Sequence, residues 1–315
     1  IHRYSISDGI NDGNVLGFDP TKVCTYKDID LRKQVALKES NSIDIQDAYS
    51  NPRKKEIYDK FMDNSIVHMA RYVDINGNIH PGIEDYVPMS QYDRDEHREA
   101  VVKDIIDNWL DLSKMNKYHA ILATNSIPEA IKYYKLFKDK KQKGLINIKF
   151  TTLFDQNIDN KDGNTIKEDA VEEILLDYYK EFGQKFSMSN FKQFKNDVCA
   201  RLSHKKPYIY IQNKPDEQIN LLIVVDQMLT GFDSKWLNTL YLDKVLKYEN
   251  IIQAFSRTNR LAGSDKPHGI IRYYRKPHTM EMNIEDAFEL YSGNKMYGVD
   301  RKSTRLNSSH VSESR

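Results

Sequence analysis

"NLLIVVD" (220–226) is followed without a break by "QMLTGFDSKWLNTLYLDK" (227–244). The aliphatic core of the first stretch has no alternation of polar and apolar residues. That suits a strand covered on both faces, the central strand of a parallel sheet. A second short apolar run, "TLYLD" (239–243), follows after a loop, so two strands leave their carboxyl ends carrying polar residues. In open parallel sheets those ends are where ligands bind.

Working outward, the same grammar repeats from about residue 116. "HAILAT" (119–124) reads as a buried strand, and Ser126 with Glu129 has the spacing of a capping box that opens a helix. Ile127, Ala130, Ile131, Tyr134 and Phe137 then recur at helical spacing. "INIKFTTLF" (146–154) is a second strand. Thr165 and Glu168 form another candidate box, before a helix carrying Ala170, Val171, Ile174, Leu175, Tyr178 and Phe182 and ending at Gly183. A further helix carries Phe191, Phe194, Val198 and Leu202, and "GIIRYY" (269–274) closes the series as a strand. The expected fold class is α/β, a parallel sheet flanked by helices. Residues 1–115 lack this alternation and read as a mixed, irregular connector, with a charged helical stretch near "RKKEIYDKFM" (53–62) and turn chemistry at "DINGNIHPG" (74–82).

Composition bounds the function. Across 315 residues, 47 lysines and arginines offset 46 aspartates and glutamates, a net charge of +1, so any nucleic-acid surface must be local. Candidate basic tracks are "KYYKLFKDKKQKG" (132–144) and "RLSHKKPY" (201–208), though such runs are commonly solvated helix faces. Two cysteines, Cys24 and Cys199, stand far apart, which argues against a disulfide framework or a CxxC zinc site and fits a cytoplasmic protein. The nine histidines lack ligand spacing, so no metal site is expected. No apolar run reaches the ~18 residues of a membrane span. The terminus "DRKSTRLNSSHVSESR" (300–315) is Ser- and Arg-rich without period and is expected to be a non-native tail.

The strand-end residues carry the chemistry. Thr230, Gly231 and Asp233 offer a hydroxyl, a backbone that admits close approach and a carboxylate, although a loop that merely caps the next element would look alike. In "ENIIQAFSRTNR" (249–260), read as a helix, Arg257 and Arg260 stand at i and i+3 on one helix face, with Gln253 four residues before Arg257 on the same side. Guanidinium forks suit a triphosphate whose charge builds up during phosphoryl transfer.

"DQMLTGFDSKWLNTLYLDK" (226–244) and "ENIIQAFSRTNR" resemble motifs V and VI of superfamily-two helicases, and in wording the motor (R, HsdR-type) subunit of type I restriction-modification enzymes. "IHRYSISDGINDGNVLGF" (1–18) and "YHAILATNSIPEAIKYYKLF" (118–137) resemble further stretches of that subunit, the second its motif IV region. The resemblance implies a RecA-like fold: 1–115 a connector after a first motor domain, 116–275 the second RecA-like domain, and 276–299 the start of a helical region. It implies Arg260 as an arginine finger on the ATP γ-phosphate, Arg257 as its companion, and Gln253 orienting that helix or the nucleotide. Thr230 would contact a DNA backbone phosphate, and Gly231 and Asp233 would couple the nucleotide cleft to DNA. Implied cofactors are ATP and Mg²⁺, held mainly by the first motor domain. Implied partners are double-stranded DNA and the specificity and methyltransferase subunits of a type I site-specific deoxyribonuclease.

No GxxxxGK[ST] stretch occurs in the 315 residues. "RDEH" (94–97) reads as the acidic start of a helix rather than a metal-binding box. Nor does a nuclease Asp with Glu-x-Lys stand out. This stretch alone is therefore expected to be inactive as an ATPase or nuclease. Open alternatives are another superfamily-two DNA motor, Swi2/Snf2-like or a type III restriction subunit, and a nucleotide-independent α/β binding module.

Overall fold

The computed structural model describes residues 6–154, 168–226, 229 and 232–291. Its first part contains α1 (Ile6–Asn11), β1 (Gly17–Lys22), α2 (Asp28–Glu39), α3 (Ile45–Ser50), α4 (Pro52–Met62), a hairpin of β2 (Tyr72–Val73) and β3 (Ile79–His80), α5 (Ile83–Tyr86) and α6 (Asp95–Leu112). Then follow β4 (His119–Thr124), α7 (Ile127–Gln142), β5 (Phe150–Leu153), α8 (Glu168–Phe182), α9 (Phe191–Ser203), β6 (Leu221–Val224), β7 (Leu237–Asp243), α10 (Glu249–Phe255), β8 (His268–Tyr273) and α11 (Pro277–Tyr291). Among the described residues no helix is long and apolar enough to cross a membrane.

Six strands form one parallel sheet in the order β1-β8-β7-β4-β6-β5. The fold is of the expected α/β class, a parallel sheet flanked by helices. β4, β6 and β7 are buried along their whole length; β6 is apolar throughout, whereas β4 and β7 are apolar at their centres and also bury His119, Thr124, Asn238, Thr239 and Asp243. The chain leaves β6 and crosses β4 to reach β7, so the winding reverses about β4. Asp226, just past β6, stands at that reversal.

Local signals behave unevenly. Ser126 caps α7 by accepting from the Glu129 amide at 3.4 Å, but Glu129 does not close the box. Its carboxylate turns to Arg98 at 2.7 Å and Lys132 at 2.9 Å instead. Gly183 ends α8 with φ +74°, where a Cβ would be strained. Thr165 of the second expected box lies outside the described residues, as do 292–299 and the terminal stretch 300–315.

The N-terminal stretch is less irregular than its sequence suggests. A small core of its own gathers Leu31, Val35, Tyr58, Phe61, Ile83 and Tyr92. Two of its elements, however, belong to the main core. β1 pairs in parallel with β8 along Gly17–Lys22, and α6 packs Val101, Val102, Ile105 and Trp109 with the sheet residues.

Buried ion pairs join the two parts. Asp243, at the end of β7, accepts from His97 Nε2 at 2.7 Å, Tyr133 Oη at 2.9 Å and two Arg275 nitrogens at 3.1 and 3.2 Å. None of these four side chains reaches solvent. Burial alone would raise the Asp243 carboxyl; His97 and Arg275 outweigh it and hold it below the usual carboxylate range. Arg275 also donates to Asp93 at 2.8 Å and to the Tyr92 carbonyl at 3.1 Å. Beside it, Arg272 grips Asp104 of α6 with both ends of its fork, at 2.6 and 2.9 Å. Glu84 of α5 receives the His278 and Thr279 amides at 3.1 and 2.7 Å, satisfying orphan donors at the start of α11.

At the opposite end of β4, His119 and His204 face each other through their Nε2 atoms at 2.9 Å, with Trp236 stacked on His204. One Nε2 must donate and the other accept, so protonating both would set two N–H groups head to head. Burial pushes the two rings down to about 3 and about 4. A depressed folded value means that the unfolded chain, with ordinary histidines near 6.5, binds more protons below that pH.

Two outcomes follow. Asp243→Ala should cost roughly 3–5 kcal/mol in urea unfolding, because Arg275 would be left buried without its counter-charge and His97 and Tyr133 without their acceptor. Stability should be full above about pH 6.5 and fall as pH drops toward 4; His204→Asn, compatible with that residue's left-handed backbone (φ 51°), should flatten the slope by roughly one proton. An unchanged slope would remove the pair from the acid sensitivity.

Candidate functional site

The site begins with a helix shorter than expected. α10 stops at Phe255, so Arg257 and Arg260 do not lie on one helical face; Arg257 sits in the turn after the helix and Arg260 beyond it. The reason is packing at Thr258. Its hydroxyl donates to the Phe255 carbonyl at 2.9 Å, and the fully buried residue presses against Gly269 of β8. A Cβ on Gly269 would stand 2.2 Å from Thr258 Oγ1. The chain then peels away, and the Asn259 carbonyl accepts from the Leu16 amide at 2.8 Å. Phe255 wedges against Phe18 and Phe288, with ring centroids 5.6 and 6.1 Å away.

The two arginines nevertheless converge. Arg257 reaches across to the Phe232 carbonyl with one end of its fork, while its Nε donates to the Gln253 carbonyl at 3.1 Å. Arg260 Nε meets Asp233 Oδ1 at 2.9 Å, with both side chains about half exposed. Burial, then the charge of Arg260, lowers Arg257 below its usual value, with Asp233 opposing, yet a guanidinium remains charged at any physiological pH. Two like charges thus sit together, and among the described residues one exposed carboxylate, Asp233, pairs with Arg260. Gln253 is exposed one turn before. Thr230 and Gly231 lie outside the described residues. Behind the loop, Lys244 bridges from β7 to Asp226 and to the Val225 carbonyl, fixing the ends of β6 and β7.

The basic tracks look different in three dimensions. Lys138 pairs with Glu173 and Asp177, Lys140 with Glu99, Lys141 with Glu181 and Lys143 with Asp139, at 2.5–2.8 Å. That face carries its own counter-charge, so it is a poor phosphate track. In the second track Arg201 is buried, its guanidinium 4.2 Å from the Tyr208 ring centroid and 4.6 Å from that of Phe182, donating to Asp197. It supports packing. "RDEH" does begin a helix, α6, with Asp95 and Glu96 in its first turn. Sequence reasoning passed over His97 there. Its four-residue spacing with Val101, Ile105 and Trp109 was the available sign that it faces inward.

Residues 116–276 match the family described as T1R_D3-like, type I restriction enzyme subunit R domain 3. The chain is 30% identical over 296 residues to the type I restriction enzyme SauCOLORF180P endonuclease subunit of Staphylococcus aureus strain COL, covering 93% of this chain and 26% of that protein. The SsaAORF53P endonuclease subunit of Staphylococcus saprophyticus is 31% identical over 298 residues, with the same coverage. The chain thus spans about a quarter of the length of these curated relatives. Among solved structures, a fragment described as an HsdR subunit from Vibrio vulnificus YJ016 aligns with a TM-score of 0.45 at 12% identity, covering 95% of this chain and 39% of that one.

The Thr258–Gly269 contact makes a mutational prediction. Gly269→Ala should destabilise the chain by roughly 1–3 kcal/mol, an overpacking cost, and adding Thr258→Ala should recover part of it. Thermal unfolding of the single and double variants reads this directly; strict additivity would show that the two positions do not meet.

Proposed function

The chain belongs to the family of type I restriction enzyme R subunits, and on that premise we propose that it carries the second RecA-like half of an ATP-driven motor that moves duplex DNA. The observation that carries this reading is the convergence of Arg257, Arg260 and Asp233 where the winding of the sheet reverses. Two guanidiniums at each other's expense favour an incoming polyanion. A nucleotide γ-phosphate, delivered with Mg²⁺ by a P-loop domain elsewhere in the whole protein, meets that demand. Arg260 then exchanges Asp233 for phosphate oxygens and stabilises the charge that grows in phosphoryl transfer. Arg257 holds the segment to the Phe232 carbonyl, and Gln253 orients the nucleotide or its neighbours.

Asp233 has a second part in this scheme. Without nucleotide it neutralises Arg260; once Arg260 turns to phosphate, the carboxylate is released and, with Gly231, couples the nucleotide cleft to DNA. Thr230 would contact a DNA backbone phosphate, so that the DNA contact reports the state of the nucleotide. With the lysine face of α7 already paired to acidic residues, DNA binding rests on this loop and on surfaces outside these residues. The whole enzyme, with specificity and methyltransferase subunits in the cytoplasm, would use the motion to bring DNA to a nuclease.

In the whole subunit, Arg260→Ala should leave DNA binding nearly unchanged and remove about 10³-fold or more of the ATPase rate. Lysine should rescue poorly, lacking the two-pronged fork. Asp233→Asn should instead alter how strongly DNA stimulates turnover. The 315-residue chain by itself should show no DNA-stimulated hydrolysis. Wild-type turnover in both arginine variants would favour the rival reading, an α/β binding module whose arginines hold the loop in place.

A further inference from the structure

Strands β1 and β8 end side by side, with the Val23 amide donating to the Tyr273 carbonyl at 3.1 Å. Beyond β1 the chain presents Cys24 and then Asp28, the first residue of α2. Beyond β8 it turns through Arg275 and Lys276 into α11, whose second residue is His278. One ligand-type atom from each of Cys24, Asp28 and His278 lies within 4.8 Å of the other two. Asp28 Oδ1 and His278 Nε2 are already 3.0 Å apart. We propose that these three side chains form a binding site for a zinc-class divalent cation, tying the exit of β1 to the starts of α2 and α11.

The donor set selects the class of ion. A sulfur, an imidazole nitrogen and a carboxylate oxygen suit Zn²⁺ or Co²⁺, whereas Mg²⁺ and Ca²⁺ prefer oxygen alone. Zinc bonds of roughly 2.0–2.3 Å at tetrahedral angles place ligand atoms about 3.3–3.8 Å apart. The Asp28–His278 pair, at 3.0 Å, would open by a few tenths of an ångström, and any contact near the 4.8 Å limit would close by about an ångström. The scaffold is held in advance: Glu84 fixes the His278 and Thr279 amides, and Lys276 Nζ donates to the Glu84 carbonyl at 2.7 Å. The nearby cations are engaged elsewhere. Lys22 pairs with Glu281 at 2.6 Å, and Arg32 turns its guanidinium to the Phe61 and Val67 carbonyls, both at 2.7 Å. Asp28 also lines a cleft of about 510 Å³ with Ile29, Arg32, Asn64, His68 and Met69. Nothing in sequence spacing announces the site, because Cys24 and His278 are 254 residues apart. The proposal stands independently of the nucleotide reading.

The test is a titration of the untagged 315-residue chain with Co²⁺. One equivalent should produce a sulfur-to-cobalt charge-transfer band and the visible bands of tetrahedral cobalt, both removed by Zn²⁺. Cys24→Ser should abolish the charge-transfer band, and Cys24→Ser and His278→Gln should each weaken binding by at least about tenfold. Cys199→Ser should leave the spectrum intact. Zn²⁺ should raise the thermal midpoint of the wild-type chain and not that of Cys24→Ser, which replaces an exposed side chain and keeps the fold, as its far-ultraviolet circular dichroism will report. A missing charge-transfer band, a band surviving Cys24→Ser or lost in Cys199→Ser, or a signal that appears only when two chains associate would overturn the assignment.

Discussion

A buried carboxylate at the end of a central strand constrains everything around it. Asp243 cannot remain ionised without solvent unless donors surround it, and its four donor atoms come from three places: His97 of α6, Tyr133 of α7, and Nε and Nη2 of Arg275 beyond β8. Each contact fixes one element relative to β7. The segment before residue 116 is therefore held to the sheet by electrostatics as well as by apolar packing, and Arg275 in turn orders Asp93 and the Tyr92 carbonyl. An ion pair of this kind adds little net stability compared with a well-packed apolar substitute, but removing one partner is expensive. Its value lies in specifying one arrangement among several compact ones.

What could be read from sequence follows from this physics. β4, β6, β7 and β8 are legible because a strand buried on both faces must be apolar throughout. β1 was not legible. "GFDPTK" contains Asp19, Pro20 and Lys22, a composition that only an edge strand tolerates, and its partner lies some 250 residues away along the chain. The end of α10 was missed for a related reason. Helical spacing continues through Arg257 and Arg260, and what stops the helix is a glycine on β8 that lets Thr258 approach. A local pattern cannot report a contact made by a distant residue.

The candidate site shows the same division. The residue types at the strand ends, and their order, were visible. The pairing of Arg260 with Asp233 and of Arg257 with the Phe232 carbonyl was not, since spacing within one segment says nothing about what faces it. The lysine-rich stretch of α7 taught the opposite lesson. Its charge was plain in the sequence, but the acidic residues of α8 that neutralise it are recognised only once the helices lie together.

The turn after α10 is anchored by Thr258 against Gly269, by the Asn259 carbonyl on Leu16, and by Phe255 between two aromatic rings. Its backbone has little freedom left, whereas the Arg260 side chain remains half in solvent. Capturing an anion there costs the torsional entropy of side chains, up to about 2 kcal/mol for each arginine, and almost none of the main-chain entropy that an unanchored loop would lose. The same anchoring turns the segment into a stiff lever: a force applied at the guanidiniums is borne by β8 and β1 rather than absorbed by the turn.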